Sequence, residues 1–467
     1  MHRDRSFRFV FALLVTAFSL TTFIRLHADE HAGRGGLRVG LFDVDATPPV
    51  GDMMAYDPVT NRWDLGLRAR GVVLIGSGDP IVMCAIDWIG IANESHEVFR
   101  ARLAHAAGTQ ANRVAVHTLH QHDAPDSDFS AESILRSEGL SPRQYEGSFQ
   151  RRVLEDLHDA VARCVTNAVP VSHVGYGQSA VREVASNRRI LGADGKVKSV
   201  RWAATTDPAV RAEPEGLIDP MVSLLSFWNE ERPVAVLSYY ATHPQSYYRT
   251  GIPNPDFPGV ARFLRQMAIP EALHVHFNGA GGNIGAGKYN DGSPQNRLIL
   301  AERLADGMKQ AWTATRREPV NASDVGWSRV SVALPLPTYL AREKLEAQLR
   351  GRDGAFFAQG GPAKLAWVRR VESGYRNEVS CLRVGRSRVL HLPGELFVEY
   401  QLAAKAIRND LFVAMAAYGD YAPGYIGTTV AYGQGGYETS PASSNVAPTV
   451  EPVLMDAIRQ LLKPAVP

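Results

Sequence analysis

The stretch Val116-His117-Thr118-Leu119-His120-Gln121-His122-Asp123-Ala124-Pro125 is the best guide to the architecture of this chain, because three histidines and an aspartate gather where an apolar run ends. Residues 114–116 have the apolar character of a short buried strand. If the extended conformation continues, His120 and His122 project on the same side. Imidazole is the commonest protein ligand for metals, and Asp123 is placed to orient a histidine ring. The alternative interpretation is a polar loop whose histidines satisfy backbone groups.

The first 28 residues have the pattern of an export signal. Residues 1–8 carry three arginines, residues 9–20 are apolar, and Ala28 supplies a small residue at a cleavage point. The apolar core is too short to favour a spanning helix, and an uncleaved N-terminal anchor is the alternative. We therefore expect a signal peptide at residues 1–28 and a mature protein that is secreted or periplasmic.

The composition is that of an ordinary globular protein, with 45% hydrophobic and 21% charged residues in a chain of 467. A formal net charge of +2, without a basic run interleaved with aromatic residues, argues against a nucleic-acid partner. The three cysteines are widely spaced, so they permit at most one intrachain disulfide and do not describe a zinc–thiolate site.

Strand-like and helix-like patterns alternate along the chain. Apolar segments rich in β-branched or aromatic residues predict strands at residues 39–42, 71–74, 81–86, 114–117, 234–240 and 274–277. Apolar residues that return every three or four positions predict helices at residues 97–107, 145–167, 260–266, 297–313, 341–350 and 396–407. This alternation predicts an α/β fold in which helices cover mixed β-sheets. Residues 319–336 are a candidate link between two regions, but no Pro- or Ser-rich hinge marks a boundary there, so we expect one large domain over residues 36–460.

A glycine-rich segment, residues 279–289, follows the predicted strand at 274–277. From Gly282 it matches G-x-x-x-x-G-K, but Tyr289 stands where a phosphate-binding loop needs Ser or Thr for magnesium. The pattern therefore favours a glycine-rich turn that lets the backbone approach a substrate closely. Its backbone N–H groups could line an oxyanion site.

Two further candidate ligands follow apolar runs. His243 comes after the strand at 234–240, and Glu395 comes after the apolar pair Val389-Leu390. A carboxylate beside two histidines matches a catalytic zinc site. The alternatives are a structural histidine and a carboxylate favoured at the start of the helix at 396–407. Residues 424–429 and 433–438 form a Gly- and Tyr-rich loop pair, and no G-x-S-x-G elbow marks a serine hydrolase.

Short motifs resemble, in the same order, those of the catalytic domain of neutral/alkaline non-lysosomal ceramidases, over most of the mature chain. The similarity begins at residues 43–51, which resemble the family's opening D-x-T-P-P-x-G. The further matches are residues 120–125 with H-T-H-S-G-P, 187–188 with N-R-S, 242–244 with H-P-x-S, 256–259 with D-F-P-G, 393–395 with P-G-E and 425–438 with Y-I/V-T-T…R-Y-E.

This resemblance implies a zinc ion and a set of site residues. The implied metal ligands are His120, His243, Glu395 and Tyr425, of which Tyr425 rests on the resemblance alone. The implied catalytic residues are His122, as proton donor or substrate contact, and Tyr437, near the amide; Arg188, Asn283 and Gly285 are placed on the substrate side.

One position departs from the family pattern. The family's G-D-V-S-P-N, which contains an active-site serine, aligns with residues 282–287 and puts Gly285 at the serine position. A covalent serine route is therefore unavailable there, whereas attack by water that zinc activates needs no serine. The chain also ends at Pro467, so we expect no C-terminal sandwich domain of the kind that ceramidases usually carry.

The sequence thus predicts an exported zinc-dependent hydrolase that cleaves the amide bond of ceramide or another N-acyl lipid. Its expected partners are a small-molecule or lipid amide substrate and a transient contact with a membrane surface. Two alternatives stay open: a non-catalytic zinc- or ligand-binding relative of ceramidases, and a hydrolase of another bond type such as an ester.

Overall fold

Three mixed β-sheets form the framework of the protein, whose computed structural model describes residues 36–463. The first sheet contains β1 (Arg38–Asp45), β2 (Arg68–Ile75), β3 (Ile81–Ile86), β5 (Val114–Thr118) and β7 (Val169–Pro170), in the spatial order β5-β3-β2-β1-β7. The second contains β8 (His173–Ala180), β12 (Met221–Asn229), β13 (Arg232–Tyr240), β14 (Leu273–Asn278) and β16 (Arg316–Pro319), in the order β14-β13-β12-β8-β16. The third contains β17 (Val325–Val332), β18 (Asn377–Val384), β19 (Ser387–His391) and β21 (Phe412–Ala416), in that order.

Short ladders and helices complete the fold. The two-stranded ladders pair β4 (Gly90–Ile91) with β6 (Asp126–Ser127), β9 (Ser186–Asn187) with β15 (Ile284–Gly285), β10 (Arg189–Leu191) with β11 (Val197–Val200), and β20 (Glu395–Leu396) with β22 (Tyr425–Ile426). The α-helices are α1 (Glu94–Ala107), α2 (Phe129–Ser137), α3 (Ser148–Thr166), α4 (Pro208–Ala212), α5 (Asp256–Ala268), α6 (Gln295–Thr313), α7 (Arg342–Arg350), α8 (Gly354–Ala358), α9 (Gly361–Glu372), α10 (Val398–Ile407), α11 (Thr429–Gln434) and α12 (Val450–Leu462).

Each large sheet turns one face to a shared core and the other face to helices. Strand β13 shows how the sequence achieves this, because alternate side chains point to opposite faces of a sheet. Ala235, Leu237 and Tyr239 lie in the core that all three sheets share. Val236 and Tyr240 pack on the other face with residues of α5 and α6. The first sheet is covered in the same way by α1 and α3, and the third by helices that include α10 and α12.

Each of the three large sheets contains one parallel pair of strands. β3 runs parallel to β5, β13 to β14, and β19 to β21, while the other neighbours in these sheets are antiparallel. The segments that follow the carboxyl ends of β5, β13 and β19 carry His120, His243 and Glu395, respectively. Carboxyl ends of parallel strands are the usual place for ligands in α/β proteins.

The predicted α/β fold with helices over mixed sheets is confirmed. All six predicted strands and all six predicted helices are present, with ends shifted by a few residues. The interpretation of residues 319–336 as a link is wrong, because β17 lies within this segment and pairs with β18 along its whole length. Part of the second Gly- and Tyr-rich loop is the helix α11 rather than loop. Residues 36–463 belong to one compact unit.

Three further expectations concern the signal peptide, membrane-spanning helices and the cysteines. The predicted signal peptide at residues 1–28 lies outside the described residues. Among residues 36–463, none of the helices combines the length and apolar character needed to span a membrane. All three cysteines are buried free thiols.

A buried ion pair ties α5 to the first sheet. The Arg262 guanidinium donates to both carboxylate oxygens of Asp87, at 2.7 and 2.6 Å, and both side chains are almost fully buried. Asp87 also accepts the backbone N–H of Arg68. Because Asp87 directly follows β3 and precedes Trp88 and Ile89, this pair fixes the start of a segment that contacts His120.

We expect Arg262→Met to destabilise the protein by about 3–5 kcal/mol, because it leaves the Asp87 carboxylate buried without its partner. The measurement is the free energy of unfolding from urea titration. Arg459→Met is the matched control, since it removes an exposed pair with Asp456 and such pairs contribute at most about 1 kcal/mol. Equal losses in the two variants would contradict the interpretation.

Candidate metal centre

His120 leaves the first sheet in an unusual backbone conformation. β5 ends at Thr118, and His120 has a φ of 61°, in the left-handed region that few non-glycine residues adopt. The extended conformation, on which a common direction for His120 and His122 depended, therefore does not continue past Thr118 to these residues. The conformation is held by a hydrogen bond from the backbone N–H of His120 to the Trp88 carbonyl. The ring Nδ1 bonds the Ile89 carbonyl at 2.7 Å, which leaves Nε2 as the free nitrogen.

His122 and His243 join His120 in one buried cluster. The ring centroid of His120 lies 4.9 Å from that of His122 and 4.6 Å from that of His243. One potential ligand atom from each of the three lies within 4.8 Å of the others. Burial, followed by the charge of His120, holds the pKa of His122 and of His243 well below the ordinary value. Neutral imidazole is the form that binds metals.

Glu395 completes the cluster from the third sheet. Its Oε2 lies 3.3 Å from Nε2 of His120 and 3.8 Å from Nδ1 of His243. Its Oε1 accepts a hydrogen bond of 2.9 Å from the Tyr421 hydroxyl, a residue that the sequence analysis missed. Glu395 belongs to β20 and faces the imidazoles, so the alternative of a carboxylate at the start of α10 is wrong.

Three atoms in this cluster test whether a metal ion fits. Oε2 of Glu395 and Nδ1 of both His122 and His243 are buried without a hydrogen-bond partner. A buried polar atom without a partner costs about 1–3 kcal/mol, so such a concentration needs a reason. A divalent cation between them would satisfy Oε2 of Glu395 and Nδ1 of His243, and a set of imidazole nitrogens with a carboxylate oxygen suits zinc. The residues present therefore fit the implied metal.

Two different sets of residues could hold the metal ion. Ligand atoms of the three histidines lie within 4.8 Å of one another, whereas Glu395 approaches only the rings of His120 and His243. We favour Glu395 together with His120 and His243, because its Oε2 points between them and has no other partner. His122 then lies beside the centre, with its ring parallel to Tyr56 at a centroid distance of 5.9 Å.

Tyr425 lies one strand away from Glu395 and contacts Arg188. β20 and β22 pair in parallel with Glu395 opposite Tyr425. The Arg188 guanidinium donates to the Tyr425 hydroxyl at 3.0 Å and lies 3.2 Å from a carboxylate oxygen of Glu438. Burial would lower the pKa of Arg188, but the Tyr425 and Glu438 oxygens outweigh it and raise that pKa. The role of Tyr425 as a zinc ligand stays a prediction.

Aromatic rings surround Arg188 and extend to the surface. Its guanidinium carbon lies 5.5 to 5.8 Å from the ring centroids of Trp202, Tyr425 and Tyr437. Tyr437 and Trp202 are 40% and 48% exposed, and their rings meet edge-on at 5.1 Å. Tyr437 also lines a cavity with Glu395, Tyr421 and Tyr425. A substrate in that cavity would therefore contact Tyr437, while its catalytic role stays a prediction.

The glycine-rich loop positions the ligand segments rather than a substrate. The Ile284 carbonyl accepts the backbone N–H of His243, and the Gly282 N–H donates to the Leu396 carbonyl. A Cβ on Gly282 would lie 2.2 Å from the Glu395 carbonyl oxygen, so only glycine permits this approach. The N–H groups of Gly279, Ala280 and Ile284 are also bonded within the fold. The predicted oxyanion site is therefore not supported for these donors.

Asn283 and Gly285, both expected on the substrate side, differ in their surroundings. The Asn283 amide is committed to α10, because it accepts the Val398 N–H and donates to Glu399. This geometry favours an anchoring role for Asn283 over substrate contact. Gly285 pairs with Ser186 in the β9–β15 ladder, and a Cβ there would meet its nearest atoms, in Ala203 and Arg188, at 3.5 Å.

Asp123 does not orient a histidine ring. Its carboxylate accepts the backbone N–H groups of Arg249 and Thr250 and the Thr250 hydroxyl, and it lies 3.6 Å from Arg297. The expectation that it supports an imidazole is therefore wrong, since the Ile89 carbonyl has that function for His120. Asp123 instead fixes the loop that follows His243.

Comparison with known proteins identifies the architecture. No family model matches the sequence, and no curated protein sequence does. A solved structure described as a ceramidase complexed with C2 superimposes with a TM-score of 0.65 at 17% identity, over 92% of this chain and 75% of that chain. The neutral ceramidase from Pseudomonas aeruginosa gives 0.63 at 18% identity, with the same shares. This chain has the neutral ceramidase fold. The resemblance in motif order is thus confirmed at the level of the fold.

Metal analysis of single variants separates the two ligand sets in this ceramidase fold. We expect roughly one zinc per chain for the wild type and loss of nearly all of it in His120→Ala and Glu395→Gln, because a ligand is removed. His122→Ala should retain zinc, as should the control His105→Ala, an exposed histidine on α1. Elemental analysis measures this. Zinc retained in Glu395→Gln but lost in His122→Ala would establish the three-histidine set instead.

Two glycine variants test the role of the loop. Gly282→Ala should destabilise the fold by about 1–3 kcal/mol and reduce zinc content, because the added methyl group collides with the Glu395 backbone. Gly285→Ala is the matched control and should leave both nearly unchanged, since its Cβ meets only ordinary contacts. Urea unfolding and elemental analysis report the two quantities, and identical behaviour of the variants would exclude this role.

Proposed function

We propose that this protein is a zinc-dependent hydrolase that cleaves the amide bond of an N-acyl compound of the ceramide class. The observation that carries the proposal is the cluster of unpartnered atoms, Oε2 of Glu395 and Nδ1 of His243, opposite Nε2 of His120. This cluster adjoins a cavity that Glu395 itself lines. The ceramidase fold supports the bond type, because the superimposed structures are described as ceramidases.

Zinc held by His120, His243 and Glu395, with Tyr425 as a fourth candidate, would polarise a carbonyl and lower the pKa of a water to about 7. The protein supplies the remaining parts of the chemistry. Tyr421 fixes the Glu395 carboxylate through Oε1, so that Oε2 faces the imidazoles. His122 lies beside the proposed centre, where it would serve as a proton donor or a substrate contact.

Tyr437 lines the cavity and would contact a bound substrate there, whereas Arg188 contacts the cavity wall through Tyr425. The Arg188 cation is buried under Tyr425 and Trp202, and its contact with Tyr425 holds that hydroxyl at the cavity wall. Tyr437 contacts the same cavity from its exposed rim. These groups would orient a carbonyl toward the histidine cluster, and such positioning is a large part of enzymatic rate enhancement.

Gly285 decides between water and a side chain as the nucleophile. The position aligns with the family serine, and the structure has room for a Cβ there, so packing does not force the glycine. The proposal is therefore direct attack by water, without an acyl-enzyme. The competing candidate, a non-catalytic relative that retains the pocket, draws its support from the same glycine.

Kinetics on the wild type and on Gly285→Ser distinguish these candidates. We expect chelation to abolish turnover of N-acyl amides in the wild type, with no burst of the amine product, because no covalent intermediate accumulates. Paired amide and ester probes with the same acyl group report the bond type. A wild type that is inert toward every probe, together with an active Gly285→Ser, would establish the non-catalytic relative.

Export and membrane contact complete the proposal. The support for export is the basic, apolar and small-residue pattern of residues 1–28. The support for a lipid substrate is the likeness to ceramidase structures. A transient contact with a membrane surface would then deliver the substrate, and it stays a prediction.

A further inference from the structure

An arginine lies at the surface beside the candidate centre, on the side of His122. The Tyr56 ring is parallel to that of His122 at a centroid distance of 5.9 Å, and the Tyr248 ring meets it edge-on at 5.5 Å. Both tyrosines are partly exposed. The guanidinium carbon of Arg249 lies 5.3 Å from the Tyr56 ring centroid and 5.5 Å from that of Tyr248. Arg249 is therefore separated from His122 by one layer of aromatic rings.

A buried carboxylate holds the backbone of Arg249 in place. Its φ is 64°, in the left-handed region that few residues other than glycine adopt. The Asp123 carboxylate stabilises this conformation, because Oδ1 accepts the backbone N–H groups of Arg249 and Thr250 at 2.8 and 3.2 Å. Strained conformations that the surrounding structure maintains are concentrated at ligand-binding positions. The fold thus fixes the point from which the Arg249 side chain leaves the loop.

The guanidinium of Arg249 lacks an acidic partner in the described part of the chain. Within residues 36–463 it makes no hydrogen bond and no ion pair, and Arg249 is exposed. The other oxygen of Asp123 accepts the Thr250 hydroxyl and lies 3.6 Å from Arg297. The five N–H donors of a guanidinium lie in its plane, so packing on aromatic faces leaves them free. Arg249 can therefore bind a carboxylate, phosphate or sulfonate through paired hydrogen bonds.

We infer that the substrate is an N-acyl lipid whose amine part carries an acidic group, and that Arg249 binds this group beside His122. This inference rests on the proposed hydrolase function and specifies the head group of its substrate. The acyl part of such a lipid is a hydrocarbon, so the acidic group belongs to the amine part. The compound keeps the fatty-acyl amide of the ceramide class. Because Tyr56 also lines the cavity that contains Glu395, a head group at Arg249 is continuous with an amide in that cavity.

Matched amides measure the preference. N-hexanoyl-β-alanine is compared with N-hexanoyl-3-aminopropanol, and N-hexanoyl-6-aminohexanoate with N-hexanoyl-6-aminohexanol, so that the acidic group lies near the amide or far from it. We expect KM to be about tenfold lower for the acidic member of at least one pair, because charge-assisted hydrogen bonds are gained. The difference should shrink at high ionic strength, since Arg249 is exposed to solvent.

Variants at two exposed arginines assign the preference to its residue. Arg249→Gln should make the two KM values of that pair equal. Arg352→Gln is the matched control, because Arg352 is also exposed and has a left-handed backbone, with a φ of 54°, just after α7. It should preserve the difference. Arg249→Lys keeps the charge but loses the planar fork, so it should retain only part of the preference.

A binding measurement is independent of turnover. Octane-1-sulfonate, which carries an acidic group and no amide, is titrated calorimetrically into the wild type and into Arg249→Gln. We expect the variant to bind about tenfold more weakly. Any contact of the sulfonate with zinc would be common to both proteins, so the difference reports on Arg249. Octanol should bind both equally and so verify that the variant is folded.

The two proposals fail in different ways. Equal KM values within both pairs, or a preference that survives in Arg249→Gln, overturn the inference and leave the hydrolase intact. A preference that appears only for amides in phosphatidylglycerol vesicles would assign Arg249 to a membrane surface and also overturn it. If no amide is hydrolysed, the proposed function fails, and the octane-1-sulfonate titration alone decides whether Arg249 binds an acidic group. Equal binding by wild type and Arg249→Gln in that titration overturns the inference.

Discussion

The packing of three sheets on one shared core is the constraint on which the candidate centre depends. Alternation along strands such as β13 sends one row of side chains into that core and the other under helices, so each sheet has a fixed orientation. The carboxyl ends of the parallel pairs lead into the loops that bear His120, His243 and Glu395. A shift of one residue in any strand would exchange its faces and displace a ligand. The geometry of the site is therefore set by hydrophobic burial far from the chemistry.

The centre itself opposes stability. Its buried nitrogens and carboxylate oxygen lack partners, and His120 adopts a left-handed backbone conformation that costs of order 1–3 kcal/mol. Contacts in the surrounding structure offset this cost by fixing His120 and the residues around it. They include the Arg262–Asp87 pair and the carbonyls of Trp88 and Ile89. A site that is preorganised in this way loses little free energy to rearrangement when a metal ion binds.

The sequence predicted the elements with strong periodicity, and the candidate ligands that follow apolar runs, His120, His243 and Glu395, lie close together in the structure. The strands of the third sheet were harder, because residues of β17 are largely half-buried or exposed and give no clear alternation. Tyr421 was missed, since its role depends on a hydrogen bond to Glu395, 26 positions earlier, that no local pattern encodes. Asp123 was assigned the wrong partner because its neighbours in the sequence are histidines. In the folded protein its carboxylate instead accepts the backbone N–H groups of residues 249 and 250.

The glycines of the 279–287 loop differ in whether packing leaves room for a side chain. A Cβ would approach backbone atoms to 2.7 Å at Gly281, 2.2 Å at Gly282 and 1.8 Å at Gly287, so packing alone requires glycine at these three positions. Gly285 is under no such requirement, because its nearest contacts would be at 3.5 Å. A serine would fit where the family resemblance places one, and its replacement by glycine therefore bears on the reaction rather than on the fold. The candidate ligands His120, His243, Glu395 and Tyr425 are all present, so under the proposed function the chain retains the groups that would hold zinc and lacks the hydroxyl that a covalent route would use.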